Sequence, residues 1–252
     1  MKLFFPKNIF SNIIKNVLPS DLGNEVNFLP SPLIAGEVAK DSNSIGLIPT
    51  LDLISHKEFF ISKSFGISFE NALCNSYIYY NSNVKNISEI YLGGDVSSLE
   101  VILTKILFEE MYDASVDVKI APDISLINNH HILLVGDKNF EDEKFSTGVS
   151  FAEEIMDAFS FPFVNYVFAS SSKHLIEELN NHLAGSGLLI YEKVESESFG
   201  EGISLKAKKY IRENISSFIF DLDEQDMDGI NQLIQLPFLR GIVNDITEVK
   251  FV

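Results

Sequence analysis

The sequence predicts an α/β protein, and three observations point to that class. Close to half of its 252 residues are hydrophobic, which is enough to bury a sizeable core as one large domain or two small ones. Short apolar runs typical of buried strands alternate with segments whose apolar residues recur at helical spacing. Two of these runs, Ser44–Ile48 and Ile132–Val135, end abruptly in a small or polar residue. Ligands of open α/β sheets bind at that end of the strands, so the pattern predicts a small-molecule cleft.

The strand predictions rest on short apolar or alternating runs that are bounded by Gly, Pro, Asn or Asp. Glu89–Leu92 ends in Gly93-Gly94-Asp95, for example, and Phe161–Ala169 is interrupted only by Asn165. The predicted strands, in order, are Lys2–Phe5, Glu25–Leu29, Ser44–Ile48, Gly66–Phe69, Asn75–Asn81, Glu89–Leu92, Val116–Ile120, Ile132–Val135, Phe161–Ala169 and Ser217–Leu222.

Helices are predicted where apolar residues recur every three or four positions between capping residues. Asn8–Leu18 has this spacing and is stopped by Pro19. Ser31-Pro32 opens a helix, with the serine as N-cap and the proline at the first position. The segment Ser97–Met111 is strongly amphipathic, whereas Glu192–Gly202 is polar and is interpreted as a solvated loop. The other predicted helices are Ser150–Phe159, Ser172–Leu183, Ile203–Ile215 and Glu224–Leu236.

Charge and composition narrow the range of partners. The chain has 19 basic and 36 acidic residues and a formal net charge of −17, which argues against binding to nucleic acid or to anionic membranes. An anionic small ligand is not excluded, because local N–H groups and dipoles decide that. No apolar run reaches the roughly 18–20 residues of a membrane span, and Met1–Asn8 is too short for a signal peptide. Cys74 is the single cysteine, so we expect no intrachain disulfide and a cytoplasmic protein.

Six residues within or just after predicted strands and at a helix start are candidate ligand contacts: Thr50, Ser76, Ser97, Ser98, Gly136 and Asp137. Ser97 and Ser98 either bind a carboxylate at the start of their helix or act as ordinary N-caps. Asp137 either orients a ligand hydroxyl, exchanges a proton with the ligand, or caps the next turn. Thr50 either bonds the ligand or caps a turn, and Ser76 either lines the cleft or is a plain buried hydroxyl.

No pattern indicates a metal or cofactor site. His130 and His131 are adjacent and would point to opposite faces of a strand. The Gly-x-Gly-x-x-Gly and Walker A patterns are both missing from the sequence. The acidic stretch Asp221–Asp228 favours a helix start over a calcium loop. We therefore expect no metal and no cofactor, and we assign no catalytic residue.

Six segments, taken in their order and spacing, resemble one enzyme family. Ser44–Thr50 resembles the D-V-A-L-V-P-S strand and turn of that family, and Leu134–Asp137 resembles its L-I-G-D. The other similar segments are Gly66–Ser68 with Ser76, Asp95–Ser98 before a long helix, Phe161–Val164, and Phe220–Glu224 with Gly229-Ile230. Together they span nearly the whole chain and resemble the family of chorismate dehydratase and the related naphthoate synthase of the futalosine route to menaquinone.

The resemblance implies a two-lobed fold of the type II periplasmic-binding-protein kind, with a ligand cleft between the lobes. Lobe one would comprise residues 1–80 plus 172–252, and lobe two residues 81–171. The implied activity is that of a carbon–oxygen lyase that removes water from chorismate or a related carboxylate-bearing ring. The implied ligand is a small anion or an aromatic carboxylate, bound by the six candidate residues. We expect a monomer or a homodimer.

The chain departs from the family at positions in the pocket. Phe10 and Ile13 stand where the family has the Asn and Pro of an Asn-x-x-Pro motif. Ser97-Ser98-Leu99-Glu100 replaces Ser-Arg-Thr-Ser, so two anion donors are missing and a carboxylate has been added. Two hypotheses follow: a divergent enzyme of menaquinone biosynthesis, or a non-catalytic small-molecule binding protein of the same fold. A weaker third one is a partner subunit that has lost its activity.

Overall fold

Two β-sheets with helices packed around them make up the protein, which confirms the predicted α/β class. The structure, a computed structural model, describes residues 1–84, 87–196, 199 and 202–252. Its strands are β1 (Lys2–Pro6), β2 (Val26–Leu29), β3 (Ser44–Pro49), β4 (Phe60–Phe69), β5 (Ser76–Tyr79), β6 (Glu89–Gly94), β7 (Asp117–Ile120), β8 (Ile132–Val135), β9 (Val149–Ser150), β10 (Phe163–Ser170), β11 (Phe218–Asp221) and β12 (Lys250–Phe251).

The helices fill the connections between these strands. They are α1 (Ile9–Lys15), α2 (Ser20–Gly23), α3 (Ser31–Lys40), α4 (Ser98–Tyr112), α5 (Lys138–Glu141), α6 (Phe151–Phe159), α7 (Lys173–Leu183), α8 (Ser186–Glu195), α9 (Leu205–Glu213) and α10 (Glu224–Leu239). Short 3₁₀ turns at Thr50–Ile54, Ile124–Asn128, Lys144–Ser146 and Ile215–Ser217 complete the regular structure of the described residues. Among these residues, no helix combines the length and the apolar character that crossing a bilayer requires.

The topology of the sheets decides which strand ends face each other. The first sheet has the order β11-β4-β10-β3-β1-β2, with β12 also paired to β4, and the second has the order β7-β6-β8-β5-β9. Within the first sheet β1 runs parallel to both β2 and β3, and within the second β6 runs parallel to β7 and β8. Parallel strands end on the same edge, so each sheet gathers several carboxyl ends in one place.

The core is continuous through both sheets. Every residue of β3, β8 and β10 is buried, which explains why these strands are almost uninterrupted apolar runs in the sequence. The helix α4 buries Leu99, Leu103 and Ile106, as its spacing predicted.

Two predictions about helix ends are wrong. Ser31 is not an N-cap: it is the first residue of α3, Pro32 follows it inside the helix, and Pro30 precedes it. The segment Glu192–Gly202 is not a loop throughout, because α8 continues to Glu195 and buries Ile190 and Val194, one turn apart, against the core. Residues 197, 198, 200 and 201 of that segment lie outside the described residues.

The predicted lobe boundaries stay a prediction, although two strands pair across them. The predicted boundaries put β5 in lobe one, but β5 pairs with β8 and β9 of the second sheet. They put β10 in lobe two, but β10 pairs with β3 and β4 of the first sheet. We propose lobe boundaries that follow sheet membership, between β4 and β5 and between β9 and β10.

Candidate ligand site between the two sheets

The carboxyl ends of parallel strands from the two sheets meet. In the first sheet, β1 and β2 lead directly into α1 and α3. In the second, β6 is followed by Asp95 and β8 by Gly136-Asp137. Each aspartate reaches across to the first sheet and accepts a hydrogen bond from a backbone N–H, Asp95 from Ser31 and Asp137 from Ile9. This meeting of strand ends is the candidate site.

Asp95 is held by three contacts to one residue. Its Oδ1 accepts from the Ser31 N–H at 2.9 Å, and its Oδ2 accepts from the Ser31 hydroxyl at 2.6 Å and from the same N–H at 3.1 Å. The turn that presents it requires Gly94, because φ is +89° and an added Cβ would lie 1.9 Å from the Val135 carbonyl oxygen. Burial raises the pKa of Asp95, and the Ser31 contacts oppose that shift.

Asp137 makes the second contact between the sheets. Its Oδ1 accepts from the Ile9 N–H at 2.7 Å. Burial raises the pKa of Asp137 to about 6, the Ile9 N–H works against this rise, and the charges of Glu141 and Asp95 add to it. Gly136 has a φ of +92° and donates its N–H to the Asn75 carbonyl oxygen at 2.8 Å. Asp137 thus lies two residues beyond the end of β8, at the carboxyl edge of its sheet, and its contact with a ligand stays a prediction.

A bulge in β10 places Tyr166 in the same cluster. The pairing of β10 with β4 shifts register between Val164 and Tyr166, so Asn165 is the extra residue. The Tyr166 hydroxyl lies 3.0 Å from the Ser31 hydroxyl and accepts from Asn75 Nδ2 at 3.3 Å. Ser31, Tyr166, Asn75 and Asp95 thus form one hydrogen-bonded chain between the sheets.

Most of the predicted contact residues already have partners within the protein. Thr50 Oγ1 donates to the Val164 carbonyl at 2.6 Å, beside the bulge. Ser98 Oγ donates to Asp52 Oδ1 at 2.6 Å. Ser76 is buried, and its Oγ lies 3.7 Å from Cys74 Sγ. Whether these groups also contact a ligand stays a prediction.

Ser97 is an N-cap, one of the two alternatives that the sequence left open. Its hydroxyl accepts from the Leu99 N–H at 3.2 Å and donates to Glu100 Oε2 at 2.6 Å, while its own N–H donates to the same oxygen at 2.8 Å. This reciprocal capping box begins α4. Glu100 is buried, which raises the pKa of its carboxyl. The Glu100 carboxylate is thus part of the helix cap.

Sequence reasoning missed four members of the cluster: Ser31, Asn75, Asp95 and Tyr166. Asp95 could have been found by the rule that found Asp137, since it too follows an apolar strand that ends in glycine. The position of Tyr166 in the cluster could not be predicted from the sequence, because the bulge that orients its side chain depends on the pairing of β10 with β4. Within the described part of the chain, no three His, Cys, Asp or Glu residues are grouped so that they could hold a metal ion.

No protein-family model matches the chain, and no curated protein matches it. Several solved structures do share its architecture. The alkanesulfonate-binding protein SsuA from Xanthomonas axonopodis pv. citri bound to MOPS has a TM-score of 0.67 and 9% identity, covering 100% of this chain and 97% of its own. The periplasmic aliphatic sulphonate binding protein SsuA from Escherichia coli has a TM-score of 0.63 and 9% identity, covering 99% and 90%.

Protein AF1704 from Archaeoglobus fulgidus is similar at a TM-score of 0.63 and 8% identity, covering 96% of this chain and 98% of its own. Identities this low show a shared fold and no more. The chain therefore has the two-lobed α/β fold of type II periplasmic binding proteins, as the sequence resemblance implied.

Proposed function

We propose that the protein binds a small molecule between its two sheets, at the edge where Asp95 and Asp137 meet α3 and α1. The main support for this proposal is that parallel strands of both sheets end at this one place and are joined there by hydrogen bonds. Ligands of α/β proteins bind at such ends. Two proteins of similar structure are named for binding sulfonates, which supports a small ligand in this fold.

Binding without turnover is the function we favour. The hydroxyls of Thr50, Ser97 and Ser98 each donate to another group of the protein at 2.6 Å. In this arrangement their protons are committed to holding the fold together. A binding protein needs only contacts and closure, whereas an enzyme also needs free groups that act on the ligand.

Loss of water from chorismate is the second candidate. The resemblance in sequence favours it, and so does Asp137, because a carboxyl with a pKa of about 6 can exchange a proton near neutral pH. A carboxylate-bearing ring would have to displace Asp95 from the Ser31 N–H in order to use that donor. A place in menaquinone biosynthesis, a cytoplasmic location and an anionic ligand are parts of this proposal.

A thermal-shift screen of the purified protein separates the two candidates. The panel contains chorismate, the enolpyruvyl-oxy benzoate, futalosine, aromatic acids, alkanesulfonates, amines and neutral sugars. We expect at least one compound to raise the melting temperature without being consumed. The enzyme hypothesis is correct if chorismate stabilises the protein and the absorbance of chorismate then decays. The Asp137→Asn variant should stop this decay, whereas Asp157→Asn, at an exposed position, should not. No stabilisation by any compound would contradict a small-molecule site.

A further inference from the structure

We propose that the ligand of this site is a protonated amine, bound by Asn75 Oδ1 and by the carboxylate of Asp95. The proposal rests on the proposed function and specifies its ligand class. In the hydrogen-bonded cluster between the sheets, one buried acceptor has no donor.

The direction of the hydrogen-bonded chain is fixed by the hydroxyl of Ser31. That hydroxyl has one proton and donates it to Asp95 Oδ2 at 2.6 Å. In its 3.0 Å contact with Tyr166 it must therefore accept, and Tyr166 donates. With its own proton used, Tyr166 accepts at 3.3 Å from Asn75, which places the Nδ2 of the amide on that side. The chain thus runs from Asn75 through Tyr166 and Ser31 to Asp95.

This direction leaves Asn75 Oδ1 without a donor. The atom is buried and has no hydrogen-bond partner, and the whole residue is 1% exposed. The backbone oxygen of the same residue, by contrast, accepts from the Gly136 N–H at 2.8 Å and from Asn139 Nδ2 at 3.4 Å. A buried acceptor without a donor carries an uncompensated desolvation penalty. A ligand that donates a hydrogen bond at this point removes it.

The charges around the cluster favour a cation over an anion. The carboxylates of Asp95, Glu100 and Asp137 are close enough that the charge of Asp95 adds to the burial that raises the pKa of the other two. None of the ion pairs between described residues involves any of the three. Lys7 acts weakly on Asp137, and its side chain is exposed.

An ammonium group fits both requirements at once. It has three N–H donors and no acceptor, so it supplies the donor that Asn75 Oδ1 lacks and has further donors for carboxylate oxygens of the site, such as those of Asp95. Its charge offsets the excess of carboxylates. A carboxylate ligand would leave Asn75 Oδ1 without a donor and would bring a further negative charge into a site that already groups three carboxyl groups.

Calorimetric titration of the full chain with benzylamine, benzyl alcohol and benzoate tests this, since the three probes share a ring and differ in charge. We expect benzylamine to bind more tightly than the other two. Asp95→Asn should weaken benzylamine about tenfold, because a charge-assisted hydrogen bond is lost. Glu89→Gln is the matched control: Glu89 begins β6 and Asp95 follows its end, so benzylamine binding should stay within about twofold.

Asn75→Leu, checked by circular dichroism for folding, is the second variant and should also weaken benzylamine. If benzoate binds, benzylamine does not, and Asp95→Asn strengthens benzoate, the ligand class is wrong while the small-molecule site stands. If benzylamine binds equally to the protein and to both cleft variants, the amine site is elsewhere and the proposal fails. If none of the probes binds and no compound of the thermal-shift panel raises the melting temperature, both the amine proposal and the proposed function fail.

Discussion

Asp137 combines burial with a single N–H donor, and this makes it sensitive to pH. In unfolded chains an aspartate titrates near 3.9, whereas burial raises the pKa of Asp137 to about 6. The folded protein therefore holds this proton more tightly than the unfolded one. The stability that the protonated form contributes is fully present below about pH 4 and is lost as the pH rises through about 6.

Asp137→Asn should abolish this part of the pH dependence. The amide retains an oxygen that can accept from the Ile9 N–H, but it carries no buried charge. We expect the variant to be more stable than the parent at pH 7 by up to about 2 kcal/mol, and equal to it at pH 4. Urea unfolding at both values measures this, with the exposed Asp157→Asn as control. A variant less stable than the parent at pH 7 would show that the charge itself is stabilising.

Thr50 supports the bulge beside Tyr166 through one hydrogen bond. Its hydroxyl donates to the Val164 carbonyl at 2.6 Å, and both groups are buried. Thr50→Val preserves the shape and leaves that carbonyl without this donor, so we expect the free energy of unfolding to fall by about 1–3 kcal/mol. Thr147→Val is the matched control, because Thr147 makes the same kind of bond to the Lys144 carbonyl on the surface. Equal effects of the two substitutions would contradict the role of Thr50.

The positions and contacts of single site residues could be predicted from the sequence to different extents. The position of Asp137 follows from the apolar strand that precedes it, but its partner Ile9 is 128 residues away and follows only from the fold. Ser97 and Glu100 stand three apart at a helix start, which is the spacing of a capping box. Their cap was thus readable from sequence, whereas the contact of Ser98 with Asp52 required the packing of α4 against the turn after β3.

At the scale of elements, the close approach of β4 to β10 depends on Gly66. A Cβ at this position would lie 2.8 Å from the Tyr166 carbonyl oxygen and 2.9 Å from Leu222 Cδ1. A backbone oxygen cannot move away by a change of rotamer, as the end of a side chain can. Gly66→Ala should therefore push the two strands apart at the bulge. We expect a loss of about 1–3 kcal/mol in unfolding free energy, typical of overpacking.

Gly36→Ala is the matched control for that substitution. Gly36 lies inside α3, and nothing comes within 4 Å of an added Cβ. Alanine favours helix over glycine, so this variant should gain up to about 1 kcal/mol. Thermal unfolding measures the stability of both variants. If Gly66→Ala does not change the stability, the strands are not held in this register.

Most strands and helices have a local signal in the sequence, and their order was predicted from it, whereas the short or irregular elements α2, α5, α8, β9 and β12 were missed. β8 is a purely apolar run between His131 and Gly136, and the regular apolar spacing within α4 is plain in the sequence. The pairing of β5 with the second sheet and of β10 with the first has no such signal. Both strands are buried on both faces, so their residues match either sheet equally well, and long-range contacts make the choice.

At the scale of the whole molecule, the net charge of −17 should make stability depend on salt. Repulsion among the excess carboxylates opposes folding, and salt screens it. Raising sodium chloride from about 50 to 500 mM at pH 7 should raise the melting temperature, since the Debye length falls to a few ångströms. The same titration near pH 4.6, the isoelectric point, should show a much smaller change. A melting temperature that falls with salt at pH 7 would show that local ion pairs outweigh the overall repulsion.

Hydrogen exchange at the amides of Ile9 and Ser31 tests the central claim most directly, namely that a small molecule binds between the two sheets. These N–H groups donate to Asp137 and Asp95 across the site, so they report on any molecule that enters it or closes it. The measurement compares the protein alone with the protein plus the compound that stabilises it most in the thermal-shift screen. We predict that exchange of both amides changes while that of the remote strand β12 does not. A stabilising compound that leaves both amides unchanged and alters exchange elsewhere would contradict the account.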